Sequence, residues 1–358
     1  MELKEIIAQF SHGETVVSVK PFGSGRINDT FCAACESGAR LILQRINHNV
    51  FRNVPALMDN IVGVTQYLAA RKPDPEKCLR FVPLKEGGAC WYKDDAGNFW
   101  RVYRFVEKTV TLETIETPAQ FEQAGRAFGG FQKDLAEYPS ETLVETIPDY
   151  HNTPARYRAF AAAVETDACG RCAEAAEEIA ALQARAARCS LLTDLLEAGK
   201  MPLRVTHNDT KINNVLLDEV TFEPVCVIDL ATVMPGLSLY DFGDCIRSGA
   251  NRAGEDERDT SLISCDLELF EAFTRGYLAA CGAALTEQEI ALLPESVEIM
   301  TLELSLRFLA DFLAGDVYFR VQEPDHNLVR ARDQLALLFD IEKKLPAMHA
   351  IVDKVLGR

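Results

Sequence analysis

The sequence has few basic residues for its length of 358. Lysine and arginine together number 37, against 54 aspartates and glutamates, which gives a formal charge of −17. A protein that binds nucleic acid through the phosphate backbone needs a basic face. We therefore expect no nucleic-acid partner, and a phosphorylated ligand would have to meet local positive charge or a bound metal ion.

The sequence also lacks a long apolar run. None approaches the roughly 20 residues that span a membrane, and residues 1–5 show neither the basic start nor the apolar core of a signal peptide. We expect no membrane partner and a cytoplasmic location. The composition, 48% hydrophobic and 25% charged, is that of an ordinary globular protein, and this length favours two lobes.

Cysteine motifs with a clear function are missing. The eleven cysteines are odd in number and lie in apolar stretches, as free thiols do. Two C-x-x-C pairs occur, Cys32/Cys35 and Cys169/Cys172, but they lie far apart and no histidine stands at zinc-finger spacing. We interpret all of them as free, mostly buried thiols.

The stretch with the most chemistry is Arg204–Asp218. It holds His207-x-Asp209 and, five residues after Asp209, Asn214. An apolar run that we expect to form a buried strand follows and ends at Asp229. This spacing of one base and two oxygen ligands predicts a centre for phosphoryl transfer.

Each residue of this centre has a predicted role. Asp209 is the candidate general base. Asn214 and Asp229 offer the hard oxygen ligands that Mg²⁺ prefers, and Lys211 could offset charge on a transferring phosphoryl group. Taken singly, Asp229 could merely cap a turn, and we expect His207 to be a structural residue of the loop rather than a base.

A second acidic motif, Asp241-Phe242-Gly243-Asp244, is a literal D-F-G sequence. It lies too far beyond Asn214 to be the metal motif, because Asp229 already occupies that place. We expect Asp241 to brace the catalytic loop from a helix start by accepting backbone N–H bonds. The segment Met234–Gly236 is expected to be a turn beside the acceptor pocket.

The chain predicts an α+β protein with two lobes. Residues 1–106 show a β-β-β-α order followed by a hairpin, which indicates an antiparallel sheet with a helix. From residue 107 the pattern is mainly helical, so residues 107–358 form the larger lobe. Within it, 153–198 predict exposed helices with no chemistry.

A glycine-containing hairpin opens the first lobe. Gly23 and Gly25 lie between two predicted strands, where glycine lets backbone amides approach phosphates closely. Asn28 stands where the third glycine of a kinase G-x-G-x-x-G would be, so the hairpin alone is weak evidence. Arg26 and Asn28 could close over a substrate.

The acceptor site is predicted on a late apolar helix. Arg307 and Asp311 are four residues apart, on one face. They could form a supporting salt bridge, or Arg307 could also face the acceptor. Tyr318 and Asp316, after Gly315, are further candidates for substrate contact.

At this point the sequence resembles the aminoglycoside phosphotransferase and choline kinase superfamily, which carries H-x-D-x-x-x-x-N followed by an isolated Asp. The likeness runs from the Gly23 hairpin almost to the C-terminus. Its specific segments are Leu203–Lys211, Val233–Gly236, Tyr240–Asp244, Arg307–Asp311 and Asp325–Arg330.

The resemblance implies a protein-kinase-like two-lobe fold and the use of ATP and Mg²⁺. Within the superfamily, the sequence most resembles kinases that phosphorylate the anomeric hydroxyl of the N-acetylhexosamines GlcNAc and GalNAc. The resemblance therefore implies a sugar acceptor. Asp209 would be the base. The segment from Arg104 through Phe105 to Glu107 would be the hinge that meets adenine.

One departure concerns the third strand. Gln44 stands where protein kinases have the lysine that pairs with the phosphates. We expect Lys211, magnesium and Arg26 to carry the phosphate charge instead, with Gln44 in the nucleotide site.

Two other functions stay open at this stage. One is a kinase for another small acceptor, such as an aminoglycoside, choline or homoserine. The other is a nucleotide-binding pseudokinase, which Gln44 and the incomplete glycine motif suggest. The sequence does not indicate whether the protein is a monomer or a homo-oligomer.

Overall fold

A computed structural model of the chain describes residues 2–23 and 27–358. The strands are β1 (Val16–Pro21), β2 (Asp29–Cys35), β3 (Arg40–Ile46), β4 (Tyr92–Lys93), β5 (Phe99–Arg104), β6 (Thr109–Val110), β7 (Arg204–Thr206), β8 (Val215–Asp218), β9 (Pro224–Val227) and β10 (Met234–Gly236). The helices are α1 (Leu3–Ile7), α2 (Val54–Ala69), α3 (Pro118–Asp134), α4 (Thr153–Thr166), α5 (Ala176–Gln183), α6 (Leu191–Glu197), α7 (Ser238–Gly249), α8 (Leu267–Cys281), α9 (Glu287–Ala291), α10 (Leu293–Ala314) and α11 (His326–Leu356).

The chain divides into two compact units, neither of which is a continuous segment. Unit 1 runs to Val110 and also takes in Glu137–Pro148 and Leu216–Pro235. Unit 2 comprises Thr111–Ala136, Asp149–Val215 and Gly236–Arg358. The predicted lobe boundary after residue 106 would instead place Glu137–Pro148 and Leu216–Pro235 in the second lobe. That boundary stays a prediction.

Unit 1 is built on an antiparallel sheet with the strand order β1-β2-β3-β5-β4. Leu41 and Leu43 of β3 are buried on one face of the sheet, in a core with Val102 of β5 and Ile7 of α1. Because side chains alternate along a strand, Gln44 points to the opposite face.

Two predictions for the segments that follow β8 were wrong. Strand β9 is only half-buried, not buried. The segment Met234–Gly236 is extended rather than a turn. A Pro-Gly pair is typical of turns because glycine permits positive φ, but Gly236 does not have a positive φ. Its missing Cβ instead allows a close approach to the side chain of Thr206.

The core of unit 2 surrounds α10. Leu306, Leu309 and Phe312 of this helix are buried together with Phe160 of α4 and Leu338 of α11. Helix α4, expected to be exposed, therefore buries Phe160 in this core and packs the partly buried Tyr157 and Val164 against it. In the part of the chain that the structure describes, no helix combines the length and apolar character needed to cross a membrane.

Glycines allow α3 and α8 to pack unusually closely. Helix α3 begins at a capping box in which Thr117 and Gln120 satisfy each other's backbone N–H groups. Further along the helix, a Cβ on Gly129 would lie 2.6 Å from the carbonyl oxygen of Tyr277 on α8. A Cβ on the neighbouring Gly130 would meet nothing within 4 Å.

Replacing these two adjacent glycines by alanine should have opposite effects on stability. Gly129→Ala should lower the free energy of unfolding by about 1–3 kcal/mol, because it forces two backbones apart. Gly130→Ala should raise it by up to about 1 kcal/mol, because glycine is a poor helix former. Urea denaturation measures both, and a similar change in the two variants would contradict the described helix packing.

Candidate active site

The predicted catalytic loop follows β7. Residues 207–211 leave the strand, and Ile212–Asn214 form a single turn of 3-10 helix before β8 begins. Asn208 adopts a left-handed conformation with φ of +65°, which asparagine tolerates better than most residues. This bend requires support from outside the loop.

Asp241, in the first turn of α7, supplies that support. Its buried carboxylate accepts the backbone N–H of His207 at 2.9 Å and that of Asn208 at 2.8 Å. The predicted bracing role of Asp241 is confirmed. Gln132 of α3 adds a third donor at 2.8 Å and also donates to the carbonyl of Val205 at 3.0 Å. Burial raises the pKa of Asp241, and these donors oppose that shift.

Asp244, one turn further along α7, holds the other side of the loop. It accepts the backbone N–H of Thr210 at 3.1 Å, and Arg247 donates to it at 2.8 Å. Burial opposes ionisation of Asp244, but the charge and hydrogen bonds of Arg247 keep its pKa below the usual value. The residue between these clamped positions is Asp209.

Asp209 is oriented by neighbours within the loop. Asn214 donates through Nδ2 to the main-chain carbonyl of Asp209 at 2.8 Å and more weakly to Oδ2 at 3.4 Å. The ammonium of Lys211 lies 3.3 Å from Oδ1 of Asp209, and that carboxylate raises the pKa of Lys211. The structure thus brings together three of the predicted site residues.

His207 has the structural part that the sequence predicts. It is fully buried, and its ring packs edge-on against Phe128 and Phe131 of α3. Its Nδ1 accepts the backbone N–H of Asp209 at 3.2 Å. A ring enclosed in this way holds the loop in position, and the structural interpretation is confirmed.

Arg307 of α10 lies among aromatic rings. Its guanidinium carbon is 5.4 Å from the ring centre of Tyr150, 5.9 Å from that of Tyr318 and 5.5 Å from that of Phe319. Burial raises the pKa of Tyr150, on which the charges of Arg307 and Asp209 act in opposite directions. Tyr150 therefore lies within electrostatic range of both the arginine and the candidate base.

A buried histidine links the catalytic loop to α10. His151 contacts Oε1 of Glu303 at 2.9 Å through Nδ1 and the carbonyl of Asn208 at 3.3 Å through Nε2. Thr153 donates to the other oxygen of Glu303 at 2.8 Å. Since Glu303 is four residues before Arg307, both project from the same face of α10.

Asp311 supports the loop that carries Tyr318. Its carboxylate accepts the backbone N–H groups of Val317, Tyr318 and Phe319 at 2.8–3.0 Å and the side-chain amide of Asn327 at 2.8 Å. No ion pair joins it to Arg307 within the described part of the chain. The prediction that Asp311 itself contacts a substrate stays a prediction.

In unit 1, Gln44 is held at both ends of its amide. Its Nε2 donates to Oγ1 of Thr30 at 3.0 Å, and its Oε1 accepts Nε of Arg101 at 2.9 Å. Asp229 follows β9 in a left-handed conformation with φ of +56°. Its charge acts on both Arg101 and Tyr103, so these groups lie near one another in this unit.

The predicted hinge begins in strand β5. The backbone N–H of Arg104 bonds to the carbonyl of Arg80 at 3.0 Å, and that of Phe105 bonds to the carbonyl of Arg40 at 3.1 Å. The side chain of Arg40 also stacks on Phe105 and pairs with Glu107. The adenine contacts assigned to this segment stay a prediction.

The glycine hairpin is described only in part. Gly23 has φ of +78°, which glycine adopts readily. Asn28 accepts the backbone N–H of Asn47 at 3.0 Å through its side chain. The predicted roles of Gly25 and Arg26 lie outside the described residues.

Several residues of the site gave no usable signal in the sequence. Gln132 and His151 act through contacts with residues more than 50 positions away, which no local pattern indicates. Asp244 and Glu303 could have been found, because each is one helical turn from a residue already singled out.

All eleven cysteines are free, as predicted.

Comparison with solved structures defines the fold. An aminopropanol kinase associated with a microcompartment has a TM-score of 0.64 at 18% identity, with 97% of each chain covered. An aminoglycoside phosphotransferase from Alicyclobacillus acidocaldarius has a TM-score of 0.66 at 14% identity, with 99% of this chain and 97% of that chain covered. A Plasmodium vivax ethanolamine kinase has a TM-score of 0.54 at 14% identity, with 88% and 82% covered. The predicted α+β class and protein-kinase-like two-lobe fold are confirmed.

A sequence model of a protein family matches residues 18–284, well over half of the chain. The family is described as the phosphotransferase enzyme family. The match includes the loop with Asp209 and the bracing residues of α7, and the chain therefore belongs to this phosphotransferase family.

Proposed function

We propose that the chain is an ATP- and Mg²⁺-dependent N-acetylhexosamine 1-kinase, which transfers the γ-phosphoryl group to the anomeric hydroxyl of GlcNAc or GalNAc. The observation that carries the proposal is the clamped loop of unit 2. It presents Asp209 beside Lys211, with Tyr150 linking this pair electrostatically to Arg307. A base and an acceptor-facing group thus belong to one compact unit.

In this proposal Asp209 accepts or orients the proton of the attacking hydroxyl. Lys211, half-exposed beside it, faces the transferring phosphoryl group and offsets the charge that develops there. The sugar oxygen attacks the γ-phosphorus in line, and ADP leaves. Because phosphoryl transfer needs little covalent help from the protein, positioning and electrostatics supply most of the acceleration.

The chemistry of Asn214 and Asp229 fits a magnesium ion. Since Nδ2 of Asn214 donates to Asp209, the amide oxygen is the atom suited to ligation. A carboxylate and an amide oxygen are hard ligands, and Mg²⁺ takes few protein ligands when phosphates supply the rest. When bound, the ion would neutralise charge on the phosphates.

We assign the nucleotide to unit 1. Gly23, Gly25 and Gln44 would face the phosphates, and the backbone from Arg104 through Phe105 to Glu107 would meet adenine. The relative solved with ADP and spectinomycin, a spectinomycin phosphotransferase, supports a nucleotide substrate for this fold. Spectinomycin is a ligand of that relative, and we do not assign it to this chain.

The choice of a neutral sugar is supported by the charge of Arg307. An aminoglycoside, choline or ethanolamine carries an ammonium group, which a nearby guanidinium repels. Aromatic faces such as those of Tyr150 and Tyr318 suit the apolar face of a sugar ring, and Tyr318 is 62% exposed. Arg26, Asn28 and Asp311 complete the set proposed for the acceptor.

The proposal is tested by ADP release with ATP, Mg²⁺ and a panel of acceptors. GlcNAc and GalNAc should give the highest kcat/KM, and phosphorus NMR should show the phosphate on the anomeric oxygen. Choline, ethanolamine, homoserine and aminoglycosides serve as the competing acceptors. Preference for any of these, or nucleotide binding without turnover on the whole panel, would reject the proposal.

Asp209→Asn should lower kcat by about 10²–10⁴-fold, as expected for loss of a general base, and should leave the affinity for ATP nearly unchanged. The amide keeps the shape of the side chain but accepts a proton poorly. Steady-state kinetics and nucleotide titration measure the two effects. Activity within about threefold of wild type would contradict the assignment of the base.

Lys211→Ala should lower kcat/KM for ATP by about 10²–10³-fold, because a charge beside the transferring group is lost. Lys211→Arg should retain part of the activity, since it keeps the charge at altered geometry. Near-normal turnover in the alanine variant would remove Lys211 from the phosphate site.

Arg307→Met should raise KM for the sugar about tenfold or more while changing KM for ATP little, because charged hydrogen bonds to an acceptor are lost. The variant should also have a smaller ratio of kcat/KM for sugars to kcat/KM for ammonium-bearing acceptors. Arg332→Met is the control, since that arginine is exposed and pairs with Glu178 on the surface. Equal sugar KM values in the two variants would argue against an acceptor contact.

A further inference from the structure

Arg101 is a buried cation in strand β5. Only 2% of the residue is exposed. Its Nη1 lies 3.9 Å from the sulfur of Met58 on α2, and its guanidinium carbon lies 5.6 Å from the ring centre of Phe81. These apolar neighbours remove water from the guanidinium without neutralising it.

The guanidinium has no carboxylate partner among the described residues. Within the ranges 2–23 and 27–358, no Asp or Glu oxygen lies within 4 Å of it, whereas the buried Arg247 pairs with Asp244 at 2.8 Å. The hydrogen bonds seen for its side chain are those of Nε to Gln44 and of Nη1 to the sulfur of Met58. A buried charge without a counter-charge is expensive, so this arrangement favours an anionic ligand at Arg101.

The sheet register sets Arg101 beside the position of the missing lysine. Gln44 of β3 and Arg101 of β5 are directly opposed in the antiparallel pair, so their side chains share one face. Nε of Arg101 donates to Oε1 of Gln44 at 2.9 Å. Because Thr30 holds the amide nitrogen of Gln44, the glutamine orients the guanidinium.

Asp229 lies close enough to act on this cation. Burial lowers the pKa of Arg101, and the charge of Asp229 opposes that shift. Asp229 is the proposed magnesium ligand of unit 1. A guanidinium within electrostatic range of that carboxylate is suited to phosphate oxygens that would also meet the metal.

We propose that Arg101, oriented by Gln44, binds the phosphates of the nucleotide in place of the lysine that protein kinases carry on the third strand. The proposal rests on the function proposed above. Arginine suits the task, because its planar guanidinium pairs with two phosphate oxygens at once. In this arrangement Gln44 is a positioning residue, and Lys211 serves the transferring group rather than the whole phosphate chain.

The test is calorimetric titration of the full chain with ADP and with adenosine, both in the presence of Mg²⁺. Arg101→Met should weaken ADP binding about tenfold or more, the usual effect of losing a hydrogen bond to a charged group, and should leave adenosine binding within about twofold. A purely structural role would change both ligands alike. Arg101→Lys should fall between wild type and Arg101→Met.

Arg45→Met is the matched control. Arg45 neighbours Gln44 on β3 but points to the opposite face, where it is half-exposed and pairs with Asp29. Loss of its charge should leave the ratio of ADP to adenosine affinity unchanged. A fall as large as that in Arg101→Met would show that only net charge matters and would overturn the proposal.

A double variant distinguishes loss of the cation from structural damage caused by Arg101→Met. Adding Gln44→Lys to Arg101→Met returns the cation to the third strand and should recover most of the ADP affinity. Wild-type ADP affinity in folded Arg101→Met, or no recovery in the folded double variant, would overturn the inference alone. Failure of the wild-type chain to bind either ligand would instead reject the proposed function.

Discussion

The site depends on one buried carboxylate. Asp241 accepts the backbone N–H groups of His207 and Asn208 and so holds the left-handed bend on which Asp209 is presented. Burial of a carboxylate is unfavourable unless its oxygens are satisfied, so the arrangement requires α7 to lie directly under the loop. A Cβ on Gly243 of the same helix would lie 2.7 Å from Met300 on α10, which shows how closely these two helices pack. The candidate base and the helix that bears Arg307 are thereby positioned by one element.

Electrostatics accounts for how an acidic protein could bind the proposed nucleotide. The net charge of −17 would repel phosphates, but each of the three cations proposed to act in the site has a different local environment. Lys211 lies beside a carboxylate and is half-exposed, whereas Arg307 is surrounded by aromatic rings. Arg101 has sulfur and aromatic neighbours and an amide that orients it. Low local polarity strengthens the charges of Arg307 and Arg101, so the proposed site needs few cations.

Much of the fold followed from pattern. The residue pattern predicted a β-β-β-α order for residues 1–106 and mainly helical structure from residue 107, because helix and strand periods differ clearly. The prediction of a turn at Met234–Gly236 was wrong because glycine has two uses, positive φ and close approach, and only packing against Thr206 shows which applies. The interleaving of segments 137–148 and 216–235 with the N-terminal unit was likewise not visible.

The sequence by itself determined the local chemistry: the spacing that sets Asp209, Lys211 and Asn214 on one short loop, and the acidic Asp241 that braces it. The three loop residues are near in the chain, so their arrangement follows from a few backbone angles, whereas the packing of α7 brings Asp241 to the loop. Tertiary structure alone decided the contact of Gln132 with Asp241 and that of Gln44 with Arg101. Such contacts join distant segments through helix packing and strand register, and neither is encoded in a local pattern of residues.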